Sequence, residues 1–277
     1  MEGKNLSQEY RQEFTMEKKK KKVTARVLDQ KMIAPDIYDM WLLTELAQDA
    51  LAGQFIGVYP KDKSTLLPRP ISICEVDREK SALRIVYRVA GKGTGDFSGY
   101  FAGEEVEILG ILGNGFPVEE GKDRTVVLLG GGIGIPPMVE LAKELKEKGT
   151  SVIAIAGYRD GNLFLKEDLE KYAGVYVATE DGSEGVKGNV LTVMEERNVQ
   201  ADVIMACGPM PMLRAIKRYA KEKGIKAYIS LEERMACGVG ACLGCVCRTT
   251  KKDHHSHVNN ARICTDGPVF DAEDVDI

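Results

Sequence analysis

The sequence has 277 residues, of which 44% are hydrophobic and 29% are charged, and its formal net charge is −4. This balance is typical of a folded globular protein with enough apolar material for more than one core. The mild negative charge argues against nucleic acid as the main partner, because phosphate binding requires a basic face. The sequence contains no run of 18 apolar residues, so it predicts no membrane span. The N-terminus also lacks the basic-then-apolar pattern of a signal peptide, which favours a cytoplasmic location.

Residues 1–22 are polar and include five consecutive lysines, Lys18 to Lys22. Their composition predicts a disordered, solvated leader. A basic arm that binds an anionic partner is the alternative interpretation of the lysine run.

Residues 23–119 consist of short runs of β-branched or aromatic residues, such as "ALRIVYRVA" and "EEVEILGILG", separated by turn residues. The spacing of these runs predicts an antiparallel barrel or sandwich rather than alternating strands and helices.

Residues 120–230 follow a different pattern, in which strand-like and helix-like segments alternate. "TVVLLG" is a continuous apolar run, as in a buried parallel strand, and "PPMVELAKELKEKG" soon after it has apolar residues at helical spacing. Further strands are predicted at "SVIAIAGYR", "VYVATED" and "ADVIMACGP", with helices between them. This alternation predicts a doubly wound α/β domain.

Residues 231–277 form a cysteine-rich tail. Cys237, Cys242 and Cys245 have C-x4-C-x2-C spacing, and Cys264 follows after eighteen further residues. Clustered cysteines in a reducing compartment are more typical of metal ligands than of disulfides. This spacing is that of the plant-ferredoxin type of 2Fe–2S cluster. The glycines between the cysteines predict a loop that brings its N–H groups close to the cluster. These glycines are Gly238, Gly240 and Gly244.

Two other interpretations of the tail stay open at the level of the sequence. A structural zinc ion could use Cys242, Cys245 and Cys264 with one histidine, since all three histidines lie between the last two of these cysteines. That interpretation leaves Cys237 and the glycine spacing unexplained. Disulfides are the second alternative. The histidines are His254, His255 and His257.

Three cysteines lie outside this ligand set. Cys247 is two residues after Cys245, so in an extended segment it points to the opposite face and is predicted to pack beside the cluster. Cys74 is predicted to be a small core residue. Cys207 and Gly208 follow the strand "ADVIMA", at the strand end where open α/β sheets bind ligands. The Cys207 thiol is predicted to meet a nicotinamide, with a buried inert cysteine as the alternative.

"GGGIGIPP" follows a predicted strand and opens a predicted helix, which is the context of a dinucleotide-binding turn. Gly132 and Gly134 would allow the turn and the approach of a pyrophosphate to the helix N-terminus. Pro137 replaces the usual third glycine, and the first turn of a helix accepts proline. A plain strand–helix turn is the alternative. Arg159 would favour NADP and Asp160 would favour NAD, so the sequence leaves the choice of cofactor open.

The segments "RPISI", "VYRVAGKGTG", "GGGIGIPP", "CGPMPML" and "CGVGACLGCVC" occur in the order seen in ferredoxin reductase-like flavoproteins. With the cluster motif at the C-terminus, the chain from about Val23 onward resembles the electron-transfer subunits of dihydroorotate dehydrogenase B. The resemblance implies an FAD-binding β-barrel over 23–119, an NAD-binding α/β domain over 120–230 and a small 2Fe–2S domain over 231–277. The implied FAD contacts are Arg69, Pro70, Ile71, Ser72, Val86, Tyr87, Arg88, Gly93 and Thr94. The implied cluster ligands are Cys237, Cys242, Cys245 and Cys264.

The resemblance also implies a partner, a separate FMN-containing subunit that oxidises dihydroorotate in pyrimidine biosynthesis and forms a heterotetramer with two copies of each chain. Electrons would pass from that FMN through the cluster and FAD to NAD+. The acidic end of the chain, "DGPVFDAEDVDI", is predicted to lie near this partner. One alternative is the small subunit of a related NAD(P)H–ferredoxin or sulfide oxidoreductase, in which a cluster ligand tends to be changed. The other is a zinc-stabilised nucleotide-binding regulatory protein.

Overall fold

The computed structural model describes residues 20–252 and 258–277. Lys18, Lys19 and all three histidines lie outside these ranges, so the predictions made for them remain predictions. Among the described residues, no helix has both the length and the apolar character needed to cross a membrane.

Six antiparallel strands close into a barrel in the order β1-β2-β5-β4-β3-β6, which confirms the predicted barrel. Large side chains such as Met40, Leu83 and Ile108 fill its interior, each fully buried. A short helix, α1, follows β5. The elements are β1 Lys21–Ala34, β2 Ile37–Leu43, β3 Phe55–Val58, β4 Arg69–Asp77, β5 Ala82–Arg88, α1 Lys92–Phe97 and β6 Glu105–Leu112.

The first strand includes the last two residues of the predicted leader. Lys21 and Lys22 pair with β6, opposite Gly110 and Leu109. The ammonium of Lys22 lies 4.4 Å from the centre of the Tyr59 ring. The end of the lysine run is therefore part of the barrel wall.

The second unit is a seven-stranded sheet in the order β10-β9-β8-β7-β11-β12-β15, with helices between its parallel strands. Strands β8 to β10 extend to one side of β7, and β11 and β12 extend to the other. The strand order therefore reverses between β7 and β11, where open α/β sheets form a ligand crevice. The strands are β7 Thr125–Gly131, β8 Ser151–Tyr158, β9 Gly174–Thr179, β10 Val186–Lys187, β11 Val203–Cys207, β12 Lys226–Ser230 and β15 Val269–Asp271. The helices are α2 Pro136–Glu147, α3 Lys166–Glu170, α4 Val190–Glu196 and α5 Met210–Lys223.

The C-terminal tail is built into both larger units. Its strand β15 pairs antiparallel with β12 and covers the edge that β12 would otherwise expose. The side chain of Asn114, just after β6, donates to the carbonyls of Thr265 and Asp266 at 3.0 and 3.1 Å. The remaining strands of the tail, β13 Val246–Arg248 and β14 Asn260–Arg262, form a separate antiparallel pair.

Helix α2 and strand β4 join the barrel to the α/β unit. A buried arginine on β5, Arg84, strengthens the junction. Its guanidinium bonds to Asp39 at 2.8 and 2.9 Å, to Glu75 at 3.0 Å and to Asp168 of α3 at 3.1 Å. A buried guanidinium with three carboxylate partners is a well-satisfied ion network, and it ties α3 to the barrel.

Candidate functional site: a cysteine loop beside two nucleotide-type turns

The four predicted cluster cysteines lie together, and each sulfur accepts a backbone N–H. Val239 donates to Cys237, and Gly244 donates to Cys242, both at 3.4 Å. The N–H of Cys264 donates to the Cys245 sulfur at 3.4 Å, and Gly240 donates to the Cys264 sulfur. Donors of this kind stabilise the negative charge of thiolates and of a cluster that they hold.

The sulfurs form two pairs. Cys237 lies within hydrogen-bonding reach of Cys242, and Cys245 lies within reach of Cys264. Burial raises the pKa of Cys237, but N–H donors from Val239 and Cys242 and the Cys242 side chain outweigh it and lower the value to about 6. Burial and the neighbouring Cys245 sulfur raise the pKa of Cys264 to about 11. Cys237 thus favours the thiolate, which is the form that binds metal, whereas Cys264 favours the thiol, whose proton a bound metal would displace.

The two pairs differ in exposure. Cys245 and Cys264 are 3% and 1% exposed and pack into the core cluster that contains Leu109 and Leu112 of β6. Cys242 is exposed, and so are its loop neighbours. The site therefore has an inner side against the barrel and an outer side at the surface.

The loop conformation depends on backbone angles that favour glycine. Gly238 and Gly240 have φ of +68° and +84°, as the sequence predicted. The third residue with positive φ is Leu243, at +53°, and not Gly244. Gly244 instead supplies the N–H for Cys242, and a Cβ there would lie 3.4 Å from that sulfur.

Cys247 and Cys74 lie away from the sulfur pairs. Cys247 is in β13 opposite Ala261 and borders a cavity of about 230 Å³ with Leu231 and Arg248. Burial raises the pKa of its thiol. Cys74 is fully buried at the junction of the barrel with α2. Both positions are those of packing residues.

Within residues 20–252 and 258–277, no three His, Cys, Asp or Glu side chains converge on a point where a single metal ion could bind. A structural zinc ion needs four ligands at one point, whereas each iron of a 2Fe–2S cluster takes two protein thiolates. The two sulfur pairs are the ligand arrangement that a 2Fe–2S cluster requires.

The predicted FAD segments meet at the start of α1. A Cβ at Gly93 would lie 2.5 Å from Nε of Arg69, so the guanidinium rests directly on this glycine. The Thr94 hydroxyl accepts the N–H groups of Ala90 and Gly91 at 2.9 and 3.2 Å, which closes the turn. The result is a guanidinium beside a glycine turn, an arrangement that suits a phosphate.

The other residues of the predicted FAD segments differ in the exposure of their side chains. Val86 and Tyr87 are only 3% and 1% exposed, and the Tyr87 hydroxyl donates to Gln30 at 2.8 Å inside the barrel. Their side chains are core residues, so only their backbone is available for the predicted FAD contact. Arg88, next in the strand, is exposed. Pro70, Ile71 and Ser72 pair in regular register with β3 and are half-buried.

The predicted NAD-binding turns also meet. A Cβ at Gly134 would lie 2.3 Å from the carbonyl oxygen of Cys207, so the turn after β7 and the turn after β11 touch through backbone alone. Gly132, with φ of +53°, faces Nη2 of Arg88, which is 3.8 Å from its Cβ position. The glycine turn of the α/β unit therefore lies beside the second FAD segment of the barrel.

Cys207 and Gly208 lie at the strand-order reversal, as expected from their position in the sequence. Burial raises the pKa of Cys207 to about 12, although Ser230 donates a hydrogen bond to it. The thiol stays neutral at physiological pH, which suits contact with a ligand and not nucleophilic attack. Pattern reasoning did not single out Met212, whose sulfur lies 2.5 Å from the Cβ position of Gly131 and holds the two turns together.

Family models agree with this division. The model "Iron-sulfur cluster binding domain of dihydroorotate dehydrogenase B" matches residues 232–276, and the model "Oxidoreductase NAD-binding domain" matches residues 128–218. The first match covers all four paired cysteines.

Two curated relatives extend the likeness along the chain. The "Dihydroorotate dehydrogenase B (NAD(+)), electron transfer subunit" of Lysinibacillus sphaericus is 42% identical over 88% of this chain and 95% of its own length. The protein of the same name from Bacillus cereus strain AH187 is 45% identical over 88% of this chain and 94% of its own length. The chain belongs to the family of dihydroorotate dehydrogenase B electron transfer subunits.

A solved structure supports the same architecture. It is titled "Insights into flavin-based electron bifurcation via the NADH-dependent reduced ferredoxin-NADP oxidoreductase structure", and it superposes with a TM-score of 0.82 at 28% identity. The match covers 91% of this chain and 89% of the other. The family membership and this neighbour confirm the ferredoxin reductase-like fold of a dihydroorotate dehydrogenase B electron transfer subunit, with FAD, 2Fe–2S and NAD as its cofactors.

Proposed function

We propose that this protein passes electrons between a catalytic partner and NAD+, through a 2Fe–2S cluster and an FAD that it holds itself. The observation that carries the proposal is the arrangement of three sites in one chain. The inner cysteine pair packs in one core cluster with β6 of the barrel, and the Arg88 side chain of the barrel reaches the glycine turn of the α/β unit. These contacts support an FAD site between the cluster and the nucleotide.

FAD supplies the conversion between a two-electron hydride and single electrons, and the cluster carries one electron at a time. The chain's own residues hold and orient these groups. Arg69 and the Gly93 turn would bind the FAD phosphates, and Gly132 and Gly134 would admit the nucleotide pyrophosphate. Cys237, Cys242, Cys245 and Cys264 would ligate the cluster. No described side chain is needed as an acid or a base.

The family name supports a separate catalytic subunit that oxidises dihydroorotate. We infer that this partner carries FMN and that two copies of each chain assemble. The outer cysteine pair supports a docking surface, because Val239 and Leu243 beside it are 41% and 65% exposed. Apolar side chains at a charged redox site favour burial by another protein. The acidic C-terminal segment stays a predicted neighbour of this surface.

Anaerobic spectroscopy of the purified complex tests the proposal. NADH and dihydroorotate, added separately, should each bleach the flavin and cluster absorbance of this chain, and dihydroorotate should do so only with the partner present. If NADH bleaches the chain and dihydroorotate with the partner does not, the assignment to pyrimidine biosynthesis is wrong. Bleaching by NADPH and reduced ferredoxin instead would support the related ferredoxin oxidoreductase. Metal analysis of the purified protein that finds zinc and no iron would exclude the 2Fe–2S cluster.

A further inference from the structure

Two side chains of α2 bind the backbone of one residue of β4, one at its N–H and the other at its carbonyl. Oε2 of Glu140 accepts the N–H of Val76 at 2.8 Å, and Nζ of Lys143 donates to the Val76 carbonyl at 2.5 Å. Glu140 and Lys143 also pair with each other at 3.3 Å. Glu140 is completely buried. We refer to Glu140, Lys143 and the Val76 peptide as the α2–β4 clamp.

The clamp completes a strand edge that the barrel leaves open. Strand β3 pairs with β4 only over Arg69–Ser72, so the same edge of β4 has no strand partner further along. Val76 lies on this unpaired stretch and is 1% exposed. A buried peptide without partners is costly, and here two helix side chains replace the missing strand.

The clamp stands close to both nucleotide sites. Val76 is four residues after Ser72, or about 13 Å along a strand at about 3.3 Å per residue. Glu140 is four residues after Pro136, or about 6 Å along a helix at about 1.5 Å per residue. The clamp therefore connects the strand with the first FAD segment to the helix that opens at the NAD turn.

The cluster is positioned by a different contact. A Cβ at Gly238 would lie 3.2 Å from Leu112 and 3.5 Å from Leu109, so the cysteine loop packs on β6. Asn114 ties the tail to the same region. The geometry between the barrel and the cluster does not depend on α2.

We propose that Glu140 is a positioning residue that, with Lys143, sets the placement of the nicotinamide against the flavin. The inference rests on the proposed function. It concerns the step in which NADH gives a hydride to FAD, so that NADH is oxidised and FAD is reduced. The rate of hydride transfer depends steeply on placement, and an error of 1 Å can cost about 100-fold. The electron step between FAD and the cluster does not share this dependence.

Stopped-flow spectroscopy of the holoprotein complex separates the two steps. In Glu140→Ala the saturating rate of FAD bleaching by NADH should fall at least tenfold, while the NADH dissociation constant and the later cluster reduction stay within twofold. Glu140→Gln keeps an acceptor for the Val76 N–H and should recover the rate to within threefold of the original. Glu147→Ala, on the exposed face of the same helix, is the matched control and should change nothing.

Hydrogen exchange gives a readout independent of turnover. The Val76 amide should exchange faster in Glu140→Ala than in Glu140→Gln or Glu147→Ala. If Glu140→Ala does not fold, Lys143→Met removes the other half of the clamp and should slow hydride transfer at least threefold with the same selectivity.

Hydride transfer at the original rate in Glu140→Ala, or equal slowing of both steps, would overturn the inference. Failure of the proposed function is a different result, in which NADH does not bleach the unmodified complex at all.

Discussion

At the scale of single residues, the sulfur atoms of the tail are sorted by their surroundings. Cys237, Cys242, Cys245 and Cys264 each accept a backbone N–H, and they lie in two pairs. Cys247 is close in sequence but lies in a paired strand, beside the cavity at Leu231. The predicted ligands and the predicted bystander therefore differ by backbone conformation and not by distance along the chain.

This difference predicts opposite outcomes for two serine substitutions. Cys242→Ser removes a thiolate from the outer pair and should abolish the cluster, because a serine hydroxyl ionises far less readily than a thiol. Cys247→Ser should retain the cluster at full occupancy. Iron and acid-labile sulfide per chain, together with the visible spectrum, measure both variants. Equal loss in the two variants would show that the ligand set is wrong.

The choice between NAD and NADP depends on single residues after β8. Asp160 follows β8, and its Oδ1 accepts both N–H groups of Asn162, at 2.9 and 2.6 Å, which fixes the side chain. The N–H of Asp181 donates to the Arg159 carbonyl, so the acidic loop after β9 adjoins this turn. An acid at this position favours the ribose of NAD, and neighbouring carboxylates oppose the extra phosphate of NADP.

Asp160→Arg should therefore shift preference toward NADPH. We expect the ratio of kcat/KM for NADPH to that for NADH to rise at least tenfold, which corresponds to about 1.4 kcal/mol. Glu222→Arg makes the same charge change at the far end of α5 and should leave the ratio unaltered. An unchanged ratio in Asp160→Arg would show that Asp160 does not lie beside the ribose of the bound nucleotide.

At the scale of elements, helix α1 offers a matched pair of glycines. A Cβ at Gly93 would lie 2.5 Å from the Arg69 guanidinium, whereas the nearest atom to a Cβ at Gly95 is 3.9 Å away, on Val89. Gly93→Ala should displace Arg69 and reduce FAD retained on purification at least fivefold. Gly95→Ala gains the same helix propensity and should retain FAD. FAD absorbance per chain measures retention in the two variants. Equal retention would show that Arg69 does not bind the FAD phosphates.

The α2–β4 clamp predicts a pH dependence of stability. Burial raises the pKa of Glu140 to about 6 from an unfolded value near 4.5. The folded state thus favours the protonated acid, so the cost of the buried charge is absent below about pH 4.5 and fully present above about pH 6. Glu140→Gln carries no such cost. We therefore compare the free energy of unfolding of Glu140→Gln with that of the original protein. The difference should shift in favour of the variant by about 2 kcal/mol between pH 4.5 and pH 7.5, at about 1.4 kcal/mol per pKa unit.

Denaturant titration at several pH values measures this difference. Glu147→Gln, at an exposed position on the same helix, should show no comparable slope. A flat difference for Glu140→Gln would mean that the carboxyl ionises normally in the folded protein.

The element patterns in the sequence predict most of the fold because they report local burial. The apolar run at β7 is buried along nearly its whole length, and the alternation of strands and helices is found as expected. The C-terminal β15 was not predicted as part of this sheet, since a three-residue strand carries too little pattern. The positive φ at Leu243 was missed because leucine rarely adopts it.

At the scale of the whole molecule, the missed features are contacts between distant segments. The Glu140–Val76 bond joins residues 64 positions apart, and the Arg84–Asp168 bond joins residues 84 apart. No periodicity predicts such pairs, because Glu140, Arg84 and Asp168 taken alone resemble ordinary surface charges. Motif order predicts which sites the chain carries, and long-range polar contacts such as these hold together the elements on which the predicted sites lie.

The Arg84 network joins the barrel to the α/β unit, so its loss should destabilise the whole molecule. Arg84 is 8% exposed, and its carboxylate partners come from β2, β4 and α3. Removal of one member of a buried ion network leaves uncompensated charges and typically costs about 3–5 kcal/mol. Arg84→Ala should lower the unfolding free energy by that amount, with the loss shared by the barrel and the α/β unit.

Thermal unfolding of the cofactor-loaded protein tests this. The midpoint of Arg84→Ala should fall by roughly 10 °C, at about 2–4 °C per kcal/mol. Lys148→Ala breaks the exposed pair with Glu119 and should lower it by less than about 2 °C, since surface pairs contribute little. Asp168→Asn weakens one of the three ion pairs of Arg84 and an exposed pair with Lys171, so the fall in its midpoint should lie between the other two. If Arg84→Ala matches Lys148→Ala, the network does not hold the barrel to the α/β unit, and α2 with β4 must hold it alone.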